Sequence, residues 1–213
     1  MTTIAILDYG VGNLRSVANA VAAAGAVPLV TSDAAAAEGA PGLIVPGVGA
    51  FPHVMARLTE SGLASIVRAR VADEKPVLGI CVGMQLLFDV GLEFEQTPGL
   101  GLIPGQVARI VEDGSAIRLP HIAWTEVYPH TEVSSTMFDG LSADQRRFYF
   151  LHSFGAASVP EAFVAARASY EGQEIIAAVR HGALWGTQFH PEKSGPAGQR
   201  FLRNFIASCR PGQ

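Results

Sequence analysis

Along the first hundred positions, apolar residues come in short unbroken runs: "TIAIL", "VPLVT", "GLIVP" and "PVLGI". Longer alanine- and leucine-rich segments separate them, "NLRSVANAVAAAG" and "FPHVMARLTESGLASIVRARVA". Strands buried on both faces read as continuous apolar runs, and strands alternating with helices imply crossovers into a largely parallel sheet. The pattern predicts an α/β half. From Gly105 onward the runs become "QVARIV", "AIRLP", "WTEVYP", "RRFYFLHSF", "FVAARASY", "EIIAAVRHG" and "ALWGTQF", punctuated by turn residues and closed by one helical stretch, "GQRFLRNFIAS". Runs this short and close predict antiparallel strands and hairpins. No Pro/Gly/Ser-rich linker or repeat divides the chain. The expectation is one domain over residues 1–213, an α/β fold with a mixed, mostly parallel central sheet flanked by helices and antiparallel strands added in the second half.

Composition narrows the function. In 213 residues, 49% hydrophobic and 16% charged content is too apolar for disorder and enough for one large core. A formal net charge of −4 supplies no basic footprint for a phosphate backbone, so no nucleic-acid partner is expected. The longest apolar stretch, Pro76 to Phe88, is shorter than the ~20 residues of a membrane span, and "MTTIAILDYG" lacks the features of a signal peptide. These readings predict a cytoplasmic protein with no membrane association. The two cysteines, Cys81 and Cys209, are expected to be free thiols, with Cys209 inert beside the terminal "RPGQ". No metal or cofactor is expected.

In an open α/β sheet, ligands bind outside the carboxyl ends of the strands. Three glycine-rich stretches fall at such ends: "DYGVGNLRS", "PGVGAF" and "GICVGMQ". The last places Cys81 between Gly79 and Gly83, ahead of the helix-like Met84-Gln85-Leu86-Leu87-Phe88. This is the G-x-S-x-G logic of a nucleophile elbow with cysteine in place of serine: the missing Cβ atoms allow a sharp turn that presents the thiol at a helix N-terminus, where the thiolate is favoured. A nucleophile needs a base and the base an orienting group. In "QFHPEKS", Pro191 biases His190 toward extended chain, so His190 and Glu192, two positions apart, project together as base and orienter. The "PGVGAF" loop is the candidate oxyanion site, with the backbone amides of Val48 and Val82 as donors and Gly47 and Gly49 allowing close approach. A dinucleotide reading of "GVGNLR" fails because the third glycine of G-x-G-x-x-G is Arg15.

Together, "GICVGMQ" and "QFHPEKS" resemble the paired signature of class I (triad) glutamine amidotransferases. The order of "DYGVGNLRSV", "PGVGAF", "LPHIAWTEV", "FYFLHSF" and "HPEKS" is similar, over nearly the whole chain, to the glutaminase-subunit family of imidazole glycerol phosphate synthases in histidine biosynthesis. The resemblance implies hydrolysis of L-glutamine to glutamate and ammonia through a cysteine thioester. It also implies delivery of the ammonia to a partner cyclase, a barrel protein bound as a heterodimer, which makes imidazole glycerol phosphate and AICAR. It further implies substrate contacts by Gln85 and Glu93, by Gly49, and by the Ser153 and Phe154 backbone of "HSF". The chain departs from the family pattern at Val82, Ala123 and Thr125.

The loop positions of Asn13 and Lys193 and the apolar bulk of Trp124 make these three the expected partner contacts, and the "PGVG" peptide the expected switch. The alternatives are a glutaminase subunit of a different amidotransferase, another cysteine hydrolase on the same sheet, and a non-catalytic scaffold.

Overall fold

A computed structural model describes residues 1–111 and 117–210. The strand expected at "AIRLP" begins outside these residues, and its described part, Ile117–Pro120, forms no strand. The elements in chain order are β1 (Thr3–Leu7), α1 (Leu14–Ala23), β2 (Val27–Thr31), α2 (Ala34–Gly39), β3 (Gly42–Gly47), α3 (Phe51–Glu60), α4 (Leu63–Ala72), β4 (Val77–Cys81), α5 (Val82–Gln85), β5 (Phe88–Gly91) and β6 (Thr97–Pro98). They continue with β7 (Ile103–Arg109), β8 (His121–Pro129), α6 (Thr131–Ser134), β9 (Arg147–His152), β10 (Phe154–Ala157), β11 (Val164–Tyr170), β12 (Gln173–His181), β13 (Leu184–Thr187) and α7 (Gly195–Ser208).

The central sheet has nine strands in the order β2-β1-β3-β4-β13-β12-β11-β8-β9. Pairings from β2 to β13 are parallel and those from β13 to β9 antiparallel, so the change in texture near Gly105 marks a change in strand direction. Every residue of β3 and β4 is buried, as their unbroken apolar runs require. Side-chain caps start two helices: Asn13 accepts from the Ser16 amide and Asp33 from the Ala36 amide, satisfying N–H groups the first turn leaves open.

Four local features differ from the sequence expectation. β2, expected to be buried on both faces, is the edge strand of the sheet and none of its residues is buried. The segment Phe51–Ala72 is two helices, because Gly62 at φ +75° breaks the run and the Ser61 hydroxyl accepts from the Leu63 amide beside it. The helix after Cys81 lasts one turn instead of running through Phe88. The carbonyls of Leu86, Leu87 and Phe88 accept instead from the amides of Leu100 to Ile103, which draws the chain into a strand. That strand belongs to a second sheet, β10-β7-β5-β6, which the sequence pattern does not announce.

β13 sets the position of the site. It lies parallel to β4 with Thr187 opposite Ile80, so the residues following both strands leave the sheet at the same edge. α7 covers this region through Phe201 and Phe205, packed on Trp185, while Phe189 stacks on Phe148 at 4.1 Å. Cys209 is buried, which pushes its thiol up to about 12, and its Sγ donates to the Phe205 carbonyl.

Candidate active site

Cys81 closes β4 with φ +54° and ψ −112°, a conformation in which side-chain-bearing residues are strained. The surrounding glycines make the turn possible. A Cβ on Gly83 would sit 1.9 Å from the Val45 carbonyl oxygen, one on Gly79 2.6 Å from the Gly83 oxygen, and one on Gly47 2.6 Å from the Gly83 nitrogen. The elbow is therefore packed backbone on backbone. Its thiol is only 3% exposed and faces a cavity of about 240 Å³ rather than bulk solvent. Because α5 is a single turn, the macrodipole expected to act on the thiol is small.

His190 and Glu192 meet as their spacing predicts. Glu192 Oε1 lies 2.8 Å from His190 Nδ1, and 3% of each side chain is exposed. The backbone of His190 is held at both ends: its amide donates to the Tyr149 carbonyl, and its carbonyl accepts from Ser194 Oγ at 2.6 Å. With Nδ1 occupied by the carboxylate, Nε2 is the ring nitrogen for Cys81. Burial by itself would lower the imidazole pKa; hydrogen bonds to Cys81 and Glu192 and their charges outweigh it and carry the group up to about 10. A ring that holds a proton this firmly is suited to take the one the Cys81 thiol gives up, leaving the thiolate that nucleophilic acyl chemistry needs.

The cavity brings together Cys81 and His190 with the two oxyanion candidates, Val48 and Val82. Gly49, Gln85, Glu93, Ser153 and Phe154 also line it, so every residue expected to touch substrate reaches one space. Glu93 caps α3, accepting from the Phe51 amide at 2.8 Å through Oε2. Gln85 is buried and donates through Nε2 to the Phe154 carbonyl at 2.7 Å and to Gln188 Oε1 at 3.1 Å.

Two features escape the sequence reading. Gln188 Nε2 points at Cys81 Sγ, 3.7 Å away, and its signal lay in the same alternation that paired His190 with Glu192, one step earlier. The other is a buried histidine pair. His152 lines the cavity and hydrogen-bonds His121, which stands opposite it in the β8–β9 register. No local pattern joins residues so distant in sequence.

The expected partner contacts lie outside the cavity. Trp124 is 49% exposed on β8 and packs edge-on against Tyr149, with ring centroids 6.1 Å apart. Lys193 Nζ lies 5.8 Å from the Tyr149 ring centroid, so the tyrosine joins the two. Asn13 caps α1, and that helix packs against the Pro191–Lys193 turn.

The sequence model of the glutamine amidotransferase class-I family matches residues 5–209. The chain is 45% identical over 214 residues to the imidazole glycerol phosphate synthase subunit HisH of Corynebacterium glutamicum, covering 96% of this chain and 97% of that one. It is 48% identical over 208 residues to the HisH subunit of Mycolicibacterium paratuberculosis, again covering 96% and 97%. Among solved structures it resembles a crystal structure of a glutamine amidotransferase, with a TM-score of 0.72 at 22% identity over 97% of this chain and 98% of that one. It also resembles PurLQS from Thermotoga maritima, with a TM-score of 0.71 at 19% identity over 97% and 98% of the two chains. These two likenesses concern the fold. A thiol on a strained elbow beside a carboxylate-held imidazole is the chemistry this sequence similarity leads one to look for, and by that similarity the chain belongs to the class-I glutamine amidotransferase family, among the HisH subunits of imidazole glycerol phosphate synthase.

Proposed function

We propose that the chain is the glutaminase subunit of an imidazole glycerol phosphate synthase and that Cys81, His190 and Glu192 form its catalytic triad. The observation that carries this reading is the convergence of the Cys81 elbow and the His190–Glu192 pair on one cavity. His190 takes the thiol proton, and Cys81 Sγ attacks the side-chain amide carbon of L-glutamine. The carbonyl oxygen of the tetrahedral intermediate faces the Val48 and Val82 amides. When it collapses, the C–N bond breaks, His190 returns the proton to the leaving nitrogen, and ammonia departs from a γ-glutamyl thioester. Water, deprotonated by His190, then cleaves the thioester to glutamate.

The size of the cavity supports a small substrate. About 240 Å³ is below the usual 300–1,000 Å³ of sites for drug-sized ligands and suits a single amino acid better than a peptide. Glu93 has one carboxylate oxygen held by the Phe51 amide, an arrangement suited to fixing the other toward the substrate ammonium. Gln85 and the Ser153–Phe154 backbone complete the amino-acid end, with Gly49 beside the oxyanion loop.

The ammonia acceptor is a cyclase of barrel fold, docked as a heterodimer on the face carrying Trp124 and Lys193, with Asn13 on the neighbouring helix start. Exposed Ile122 and Tyr128 extend the apolar surface around Trp124 along β8. No helix among the described residues is long and apolar enough to cross a membrane. The test is glutamate release by the subunit alone, with the cyclase, and with the cyclase holding its substrate, together with labelling of Cys81 by diazo-oxo-norleucine. Stimulated release and Cys81-specific labelling are expected. Glutamine left intact in all three mixtures, or cleavage of peptides in preference to glutamine, overturns the proposal.

A further inference from the structure

The inner face of β8 carries His121 and Thr125, and β9 places His152 opposite His121. Thr125 Oγ1 is 2.8 Å from His121 Nε2, His121 Nδ1 is 3.1 Å from His152 Nε2, and His152 Nδ1 is 3.0 Å from the Phe154 carbonyl oxygen. A carbonyl only accepts, so the proton of His152 sits on Nδ1. Burial keeps both rings neutral, lowering His121 to about 4 and His152 to about 3. A neutral His152 therefore offers Nε2 as an acceptor to His121 Nδ1–H, and His121 Nε2 accepts from the Thr125 hydroxyl. One terminal carbonyl fixes the direction of all three hydrogen bonds.

The chain is stiff and ends at the site. Phe150 and Tyr170 stack on His121 with centroids 4.9 and 4.1 Å away, so the ring cannot swing out. The carbonyl that receives His152 also receives Gln85, whose amide continues through Gln188 toward the Cys81 thiol.

We propose that Thr125, His121 and His152 are positioning residues for the substrate, a hydrogen-bonded relay that fixes the Ser153–Phe154 wall against which the amino-acid end of glutamine rests. This rests on the glutaminase reading above. The relay bonds the wall directly and reaches the nucleophile only through Gln85 and Gln188, so loosening it weakens ground state and transition state together.

Thr125→Val keeps the shape of the side chain and removes the donor, and Thr125→Ser keeps the donor. Both are measured as the complex with the cyclase. KM for glutamine rises about tenfold in the valine variant, the scale of one well-placed hydrogen bond, with kcat within about twofold of wild type. The serine variant restores KM. Imidazole nitrogen shifts in the wild-type protein report Nδ1–H on both rings. A merely structural role would lower the amount of active enzyme, and so apparent kcat, without moving KM. An unchanged KM in the valine variant, a serine variant no better than valine, or a proton on His152 Nε2 overturns the relay while leaving the glutaminase assignment standing. A wild-type complex that leaves glutamine intact overturns both.

Discussion

Glu192 Oε1 stands 2.8 Å from His190 Nδ1 in a place where almost none of either side chain meets water. A carboxylate so placed orients the ring and stabilises its cation, two effects that substitution can separate. His190→Ala removes proton transfer altogether and should cost roughly a hundred- to ten-thousandfold in kcat. Glu192→Gln still accepts one hydrogen bond and leaves the base in place, so it should cost less. Steady-state glutaminase rates of the two variants check the ranking, which equal losses would overturn.

The strain at Cys81 predicts an unusual order of stabilities. Cys81→Ala and Cys81→Gly both lose thioester chemistry, yet the glycine variant should melt higher than the alanine variant. At φ +54° relief of backbone strain of about 1–3 kcal/mol exceeds the ~0.5–1 kcal/mol entropic cost of glycine. Calorimetry of the pair decides it, and alanine melting above glycine would show that the elbow is unstrained.

Arg70 is almost wholly buried and makes no salt bridge among the described residues. Its guanidinium donates to the carbonyls of Ala37, Glu38, Ala40, Pro41 and Pro76, tying the end of α2 to the start of β4. Arg70→Lys cannot reach so many acceptors from one ammonium and should lose about 2 kcal/mol or more, and Arg70→Met more still. Urea unfolding should show a lower midpoint at unchanged slope. A midpoint within error of wild type in the lysine variant refutes the staple.

Stability should fall on both sides of about pH 6.5, the ordinary histidine value. His190, raised to about 10, contributes fully below the unfolded value, and its contribution is lost as pH rises from there toward 10. His121 and His152, lowered to about 4 and about 3, contribute above the unfolded value, and theirs is lost as pH falls from about 6.5 through those values. Denaturant unfolding at pH 5, 6.5 and 9 measures both limbs. His190→Gln should flatten the alkaline limb and leave the acid limb in place; an alkaline limb as steep as wild type would contradict the assignment.

The parts of the fold written in local patterns were legible. Continuous apolar runs located β1, β3 and β4, and the spacing of glycines around Cys81 announced a turn whose steric need the Val45 and Gly83 backbone atoms now explain. Features made by long-range pairing were not. Leu86 and Leu87 look helical by composition, but their carbonyls are taken by residues more than a turn away in a sheet that no alternation signals. The His121–His152 contact depends on strand register, and Gln188, the first residue of "QFHPEKS", carried no sign of a role until the fold set its amide toward Cys81. Trp124 and Lys193 lie together on the surface, but only through Tyr149, which no motif singled out.

The glycines packed behind the elbow also divide the cavity by mutational tolerance. On one side Gly47, Gly79 and Gly83 leave no room even for a methyl group, and the Tyr9 hydroxyl ties the Pro46 carbonyl, so the nucleophile wall admits no variation in shape. Across from it, the Ser153–Phe154 backbone forms a wall held in place by the side chains of Gln85 and His152, which donate to the Phe154 carbonyl. A selection for enzymes that accept a longer, shorter or branched amide would therefore collect its successful changes in β8, β9 and β10 and almost none around Cys81.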